Sequence, residues 1–143
     1  MKTNHNMQLK TRFQNLINSL SVKEIEVEKE WNYLEENYSL SYKAYHNLTH
    51  LTELFKQYDV YESHLEQPKE VAFAIFYHDI IYNIGDAKNE EKSGREAVRV
   101  LAEMGVDKET TERVNQLILA TKSHEAKTQD EKWMIDFDLA ILG

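Results

Sequence analysis

The sequence predicts an all-α protein, and three observations carry that prediction. Four glycines and one proline in 143 residues are too few to punctuate many short strands, and favour long helices with short connections. Apolar residues recur at spacings of three and four along most of the chain, the period of a helix with one buried face. No segment shows the sustained period-2 alternation, rich in β-branched residues, of a half-buried strand.

The elements follow in order. Met1 to Met7 is polar and reads as a frayed end. Leu9, Phe13, Leu16, Ile17 and Leu20 then mark a first amphipathic helix. Ser21-Val-Lys-Glu24 has the form of a capping box, in which serine and glutamate side chains reciprocally satisfy orphan N–H groups. It is expected to open a second helix with Ile25, Val27, Trp31, Leu34 and Tyr38 inward, broken at Ser39 to Ser41. A third helix is expected from near Tyr42, carrying Tyr45, His46, Leu48, His50, Leu51, Leu54 and Phe55, before an irregular polar stretch from Tyr58 to Gln67.

Pro68 suits the first turn of a fourth helix, where its missing N–H costs nothing. That helix is expected to contain Val71 to Ile81, and Asn83 to Asn89 reads as a loop around Gly85 and Asp86. Glu90 to Met104 is helical in period, with Gly105 as its stop. Asp107 can cap the next helix, which turns Val114, Leu117 and Ile118 inward and ends near Thr121 to His124. A polar loop leads to the apolar stretch from Trp133 to Leu142. One domain over 1–143 is expected, with N-terminal helices in 1–40 and the core in 41–143.

Composition narrows the chemistry. Zero cysteines exclude disulfides, thiolate nucleophiles and Cys-ligated zinc or iron–sulfur centres, so any metal must sit on His, Asp or Glu. A formal charge of −8 argues against general nucleic-acid binding, which needs clustered Lys and Arg. It leaves room for a small anionic substrate, because a bound cation reverses the local field. With no run of eighteen apolar residues and no charged-then-apolar leader, a soluble, cytoplasmic chain without a membrane partner is expected.

Phe73 to Tyr82 is apolar or aromatic at every position except His78 and Asp79. An adjacent imidazole and carboxylate in so apolar a stretch must be compensated, because an unpaired buried polar group costs about 2–7 kcal/mol and an ion more. A divalent metal binds neutral imidazole and carboxylate together. His46 and His50 are four apart, on one face of the expected third helix. Asp136 and Asp138 lie in the last apolar stretch, where residues two apart on a helix point to nearly opposite sides, so only one can face a site. Taken singly, these residues also fit plain structural roles: surface histidines, a histidine bonded to a helix-end carbonyl, a helix cap.

Tyr45-His46-Asn47-Leu48-Thr49-His50, Tyr77-His78-Asp79, Asn89-Glu90 and Asp138-Leu139, in that order, resemble the motifs of the HD superfamily of metal-dependent phosphohydrolases. The match is to a bacterial branch of uncharacterised predicted HD phosphohydrolases, over roughly Tyr42 to Gly143. The first motif, and Leu119-Ala120-Thr121 followed by His124, are also similar to cyclic-nucleotide phosphodiesterases, distant HD relatives. The resemblance implies an HD-type helical bundle around one metal cleft. It implies that His50, His78, Asp79 and Asp138 coordinate a divalent ion, with Asp79 able to bridge to a second and Asp136 the alternative to Asp138. His46 matches the histidine that protonates the leaving-group oxygen, and His124 a position near substrate or the second metal. The ion could be Mn, Fe, Co, Ni, Zn or Mg, since a mixed nitrogen and oxygen set accepts several metals.

Asn89 and Glu90 are candidates to orient a ligand, Glu90 fitting equally well as an acid that complements a helix dipole. Lys88, Lys92, Arg95 and Lys122 are candidates to meet substrate phosphate, although solvated surface charge is the stronger reading for most of them. The expected activity is hydrolysis of a small phosphate ester or phosphodiester, a nucleotide being one candidate, with a metal-activated water and His46 as general acid. Two further functions stay open: a metal- or nucleotide-binding module without turnover, and a helical interaction protein without metal. Branch members continue through further helices, whereas this sequence stops at Gly143, five residues past Asp138. A short form, a truncated one, or a homo-oligomer whose neighbour covers the cleft would each fit.

Overall fold

The computed structural model describes residues 2–40 and 47–142, with the backbone alone at 2–6 and 141–142. Among the described residues there are seven α-helices and no strand. They are α1 (Lys2–Leu20), α2 (Val27–Tyr38), α3 (Leu48–Tyr61), α4 (Pro68–Tyr77), α5 (Asn89–Glu103), α6 (Lys108–Ser123) and α7 (Gln129–Leu142), with a single 3₁₀ turn at Glu62–His64. None of them is long and apolar enough to cross a membrane.

The bundle is organised on α4, which packs against α1, α3, α5, α6 and α7. Every residue from Val71 to Tyr77 is buried, as expected of a helix apolar all round. Phe76 is its hub, with ring centroids 5.2 Å from Phe13 of α1 and 4.8 Å from Phe55 of α3. Phe73 and Tyr77 stack on one another at 4.7 Å. The stripes read from sequence do point inward: Leu9, Phe13, Leu16 and Ile17 on α1, Trp31, Leu34 and Tyr38 on α2, Val114, Leu117 and Ile118 on α6.

Several helix ends depart from expectation, and some of them have a partner distant in sequence. Ser21 and Glu24 form no capping box: the Ser21 hydroxyl donates to the Lys23 carbonyl at 2.8 Å, and α2 starts only at Val27 without a side-chain cap. The N–H groups of Val22 and Lys23 instead both reach the Met104 carbonyl at 2.9 Å, closing the end of α5. Gly105 follows there at φ 75°, a left-handed turn that glycine adopts without strain.

The third helix is described from Leu48, and the start expected near Tyr42 lies outside the described residues. Asn47 is extended and caps α3, its side chain accepting from the His50 N–H at 3.1 Å. His46 lies outside the described residues. α3 then continues to Tyr61 through part of the stretch expected to be irregular, since Leu54, Phe55 and Tyr58 are all core residues.

Pro68 does begin α4, but the helix stops at Tyr77 rather than Ile81. His78 is its C-cap, and the chain turns away immediately after it. The Ser93 hydroxyl of α5 holds that turn, accepting from the Ile81 N–H and donating to the Ile81 carbonyl, both at 3.1 Å. α7 starts at Gln129, earlier than the apolar stretch suggests, and buries Asp130. The Asp130 carboxylate accepts from the N–H groups of Glu66 and Gln67 at 2.9 Å each, tying the start of α7 to the segment before α4.

Candidate metal centre

His78 is 1% exposed. Its Nδ1 lies 2.7 Å from the Ile75 carbonyl. A carbonyl can only accept, so Nδ1 carries a proton. In the neutral ring the lone pair then sits on Nε2. That atom faces Asp79 Oδ2 at 3.2 Å and Asp138 Oδ1 at 3.3 Å, yet makes no well-directed hydrogen bond with either. A lone pair opposite two anionic oxygens is repulsive unless a cation, either a proton or a metal ion, stands among them.

His50 approaches the same point from the first turn of α3, where the Asn47 cap fixes its backbone. Its Nε2 lies 3.5 Å from Asp79 Oδ2 and 3.3 Å from Asp138 Oδ1. The two imidazoles are 5.5 Å apart between ring centroids. One donor atom from each of His50, His78, Asp79 and Asp138 lies within 4.8 Å of the others. Three separated segments thus converge: the start of α3, the end of α4 and the last turns of α7.

The His-to-Asp spacing suits a first-row divalent ion. Ligand bonds of about 2.0–2.2 Å place neighbouring donors of a tetrahedral site about 3.3–3.6 Å apart. The four His-to-Asp separations span 3.2 to 3.5 Å. The imidazoles are almost fully buried, whereas both carboxylates keep 13% of their side-chain surface exposed. The side of the centre that meets solvent is the carboxylate side.

Without a metal, charge within the cluster is strongly polarised. Burial disfavours the His78 imidazolium, but the carboxylates of Asp79 and Asp138 outweigh it and hold the ring's pKa well above its ordinary value. Burial raises the Asp138 pKa, but the imidazoles of His50 and His78 outweigh that and hold it well below the ordinary carboxylate range. In the metal-free protein His78 therefore adds stability below about pH 6.5, its ordinary value, and gives it up as pH rises through the higher folded-state value. Asp138 adds stability above about pH 4 and loses it on acidification. A metal must displace the His78 proton, so ion uptake near neutral pH is expected to release about one proton. Calorimetric titration in buffers of different ionisation enthalpy measures this, and an uptake with no proton release would contradict it.

The other residues singled out in the sequence lie elsewhere or are otherwise engaged. Asp136 is exposed, on the far side of α7 from Asp138. His124 is the exposed C-cap of α6 at φ 57° and is not in the cluster. Asn89 uses its amide on the loop, accepting from the Asn83 N–H at 2.9 Å and donating to the Asn83 carbonyl at 3.0 Å. Glu90 is in the first turn of α5, where an acid complements the helix dipole. Lys92 pairs with Asp86, and Lys122 binds Glu91 at 2.8 Å and the Ala87 carbonyl at 2.7 Å. Lys88 and Arg95 are exposed.

Two residues of α2 have buried polar roles that carry no signal in the sequence, and only the first reaches the centre. Tyr38 reads as one more apolar position on α2, yet its hydroxyl bonds the backbone on both sides of His78. Glu30 reads as a surface acid, yet it is buried against the Tyr77 hydroxyl at 3.1 Å and Arg99 at 2.9 Å. No family model, curated protein or solved structure matches the chain.

Proposed function

We propose that the protein is a divalent-metal-dependent phosphohydrolase of the HD type, acting on a small phosphate ester or phosphodiester, with nucleotides the first class to test. The observation that carries this is the convergence of His50, His78, Asp79 and Asp138, whose donor atoms lie within 4.8 Å of one another. Two imidazoles and two carboxylates are a donor set for Mn, Fe, Co, Ni or Zn, and less so for Mg, which prefers oxygen.

An ion held there supplies Lewis acidity, lowering the pKa of coordinated water from 15.7 to about 7 and withdrawing charge from a phosphoryl oxygen. The protein's own part is positional. The Ile75 carbonyl holds the His78 ring so that Nε2 points at the cluster, and the Asn47 cap does the same for the backbone of His50. The partly exposed carboxylates face the approach of substrate. His46, just before that cap in sequence, is assigned as proton donor to the leaving oxygen, because imidazole titrates near neutral pH. Lys88 and Arg95 are the better candidates for substrate phosphate, since Lys92 and Lys122 already hold carboxylates.

Dialysed protein is expected to retain, or take up on addition of Mn²⁺, about one ion per chain, and to hydrolyse a generic phosphodiester or nucleotide in its presence. His46→Ala is expected to slow turnover by about 10²–10⁴, the usual worth of a general acid. Full turnover without His46 rules out its role. Metal uptake without turnover on any phosphate substrate leaves a binding module, and absence of both uptake and thermal shift leaves a helical interaction protein.

A further inference from the structure

Asp79 lies one residue beyond the C-cap of α4, where the chain has left the helix. The last carbonyls of a helix and the amides just past it need partners from elsewhere. Tyr38, the final residue of α2, supplies one for each. Its hydroxyl donates to the Phe76 carbonyl at 2.8 Å and accepts from the Asp79 N–H at 3.1 Å. One oxygen thereby closes the turn that contains His78 and sets the direction in which Asp79 leaves the backbone.

Core packing alone does not call for that oxygen, since phenylalanine would fill nearly the same volume at a site 1% exposed. We propose that Tyr38 is a positioning residue for the metal centre, holding the Asp79 peptide so that its carboxylate meets His50 and His78 at binding distance. This rests on the metal-dependent function proposed above. Tyr77 provides the matched comparison: its hydroxyl is also buried, and it also bonds across to α2, but it binds the Glu30 carboxylate rather than the backbone at Asp79.

The test compares Tyr38→Phe and Tyr77→Phe with the wild-type chain, using Co²⁺ as the probe. Tyr38→Phe is expected to bind Co²⁺ about 10–100-fold more weakly, the usual cost of losing a group that orients a ligand, with an altered visible absorption spectrum of the Co²⁺ form. Tyr77→Phe is expected to lose thermal stability but keep wild-type Co²⁺ affinity and spectrum. Unchanged affinity and spectrum in Tyr38→Phe, or the same loss in both variants, overturns the proposal. If Tyr38→Phe does not fold, hydrogen exchange of the Asp79 amide in the wild-type chain decides: protection supports the clamp, and exchange at the rate of an open loop overturns it. Failure of the wild-type chain to take up Co²⁺ sinks the metal-dependent function and this proposal together. Uptake that Tyr38→Phe leaves untouched sinks this proposal alone.

Discussion

His78→Ala is expected to lower affinity for Mn²⁺ or Co²⁺ by more than about 100-fold while leaving the helical content unchanged. Loss of a group that merely orients a ligand costs 10–100-fold, and a ligand itself exceeds that. In wild-type protein, free ion at 100 times Kd adds about 2.7 kcal/mol of stability, read as a rise in Tm. His78→Ala is expected to show no such rise at the same ion concentration, and Asp138→Ala to behave likewise. Asp136→Ala, on the exposed side of α7, is expected to keep the full metal-dependent shift. A Mn²⁺-induced shift that survives His78→Ala would remove this residue from the proposed ligand set. One lost with Asp136→Ala but retained with Asp138→Ala would reverse the choice between the two aspartates.

The largest expected loss of stability comes from Phe76→Ala. Its ring is fully buried and touches the rings of Phe13 and Phe55, joining α1 and α3 to α4. Truncating a buried phenylalanine removes its transfer free energy and leaves a cavity, at a cost of about 3–5 kcal/mol. Domains of this size have about 5–15 kcal/mol in total, so the variant is expected to retain a folded state with a sharply lower urea midpoint. Saturating metal would recover about 2.7 kcal/mol at 100 times Kd, provided the centre stays assembled. A loss under about 1 kcal/mol would show that Phe76 is not the hub that its contacts indicate.

The positions of the buried faces were legible in the sequence because helical period reports directly which side of a helix leaves water. Asp107 illustrates a boundary that was legible too: its carboxylate accepts from the Thr110 N–H at 3.0 Å, a cap built entirely from neighbours in the chain. The capping box at Ser21 failed although its pattern was sound. Met104, far along the chain, takes the N–H groups of Val22 and Lys23, and a local motif cannot weigh that offer. The end of α4 was misplaced for a similar reason. Nothing between His78 and Ile81 breaks a helix in sequence, but Tyr38 and Ser93 satisfy the backbone of the turn from outside.

By itself the sequence determined an all-helical chain, its inward faces and, through the absence of cysteine, that any metal proposed for it must rest on His, Asp or Glu. Only the tertiary structure decided that His50, His78, Asp79 and Asp138 meet within 4.8 Å, that Asp138 rather than Asp136 turns toward the histidines, and that Tyr38 stands behind Asp79. The division has one physical cause. Periodicity is a property of neighbours along the chain, whereas a cluster of lone pairs and anions forms only where the packing of three helices outweighs the repulsion among them.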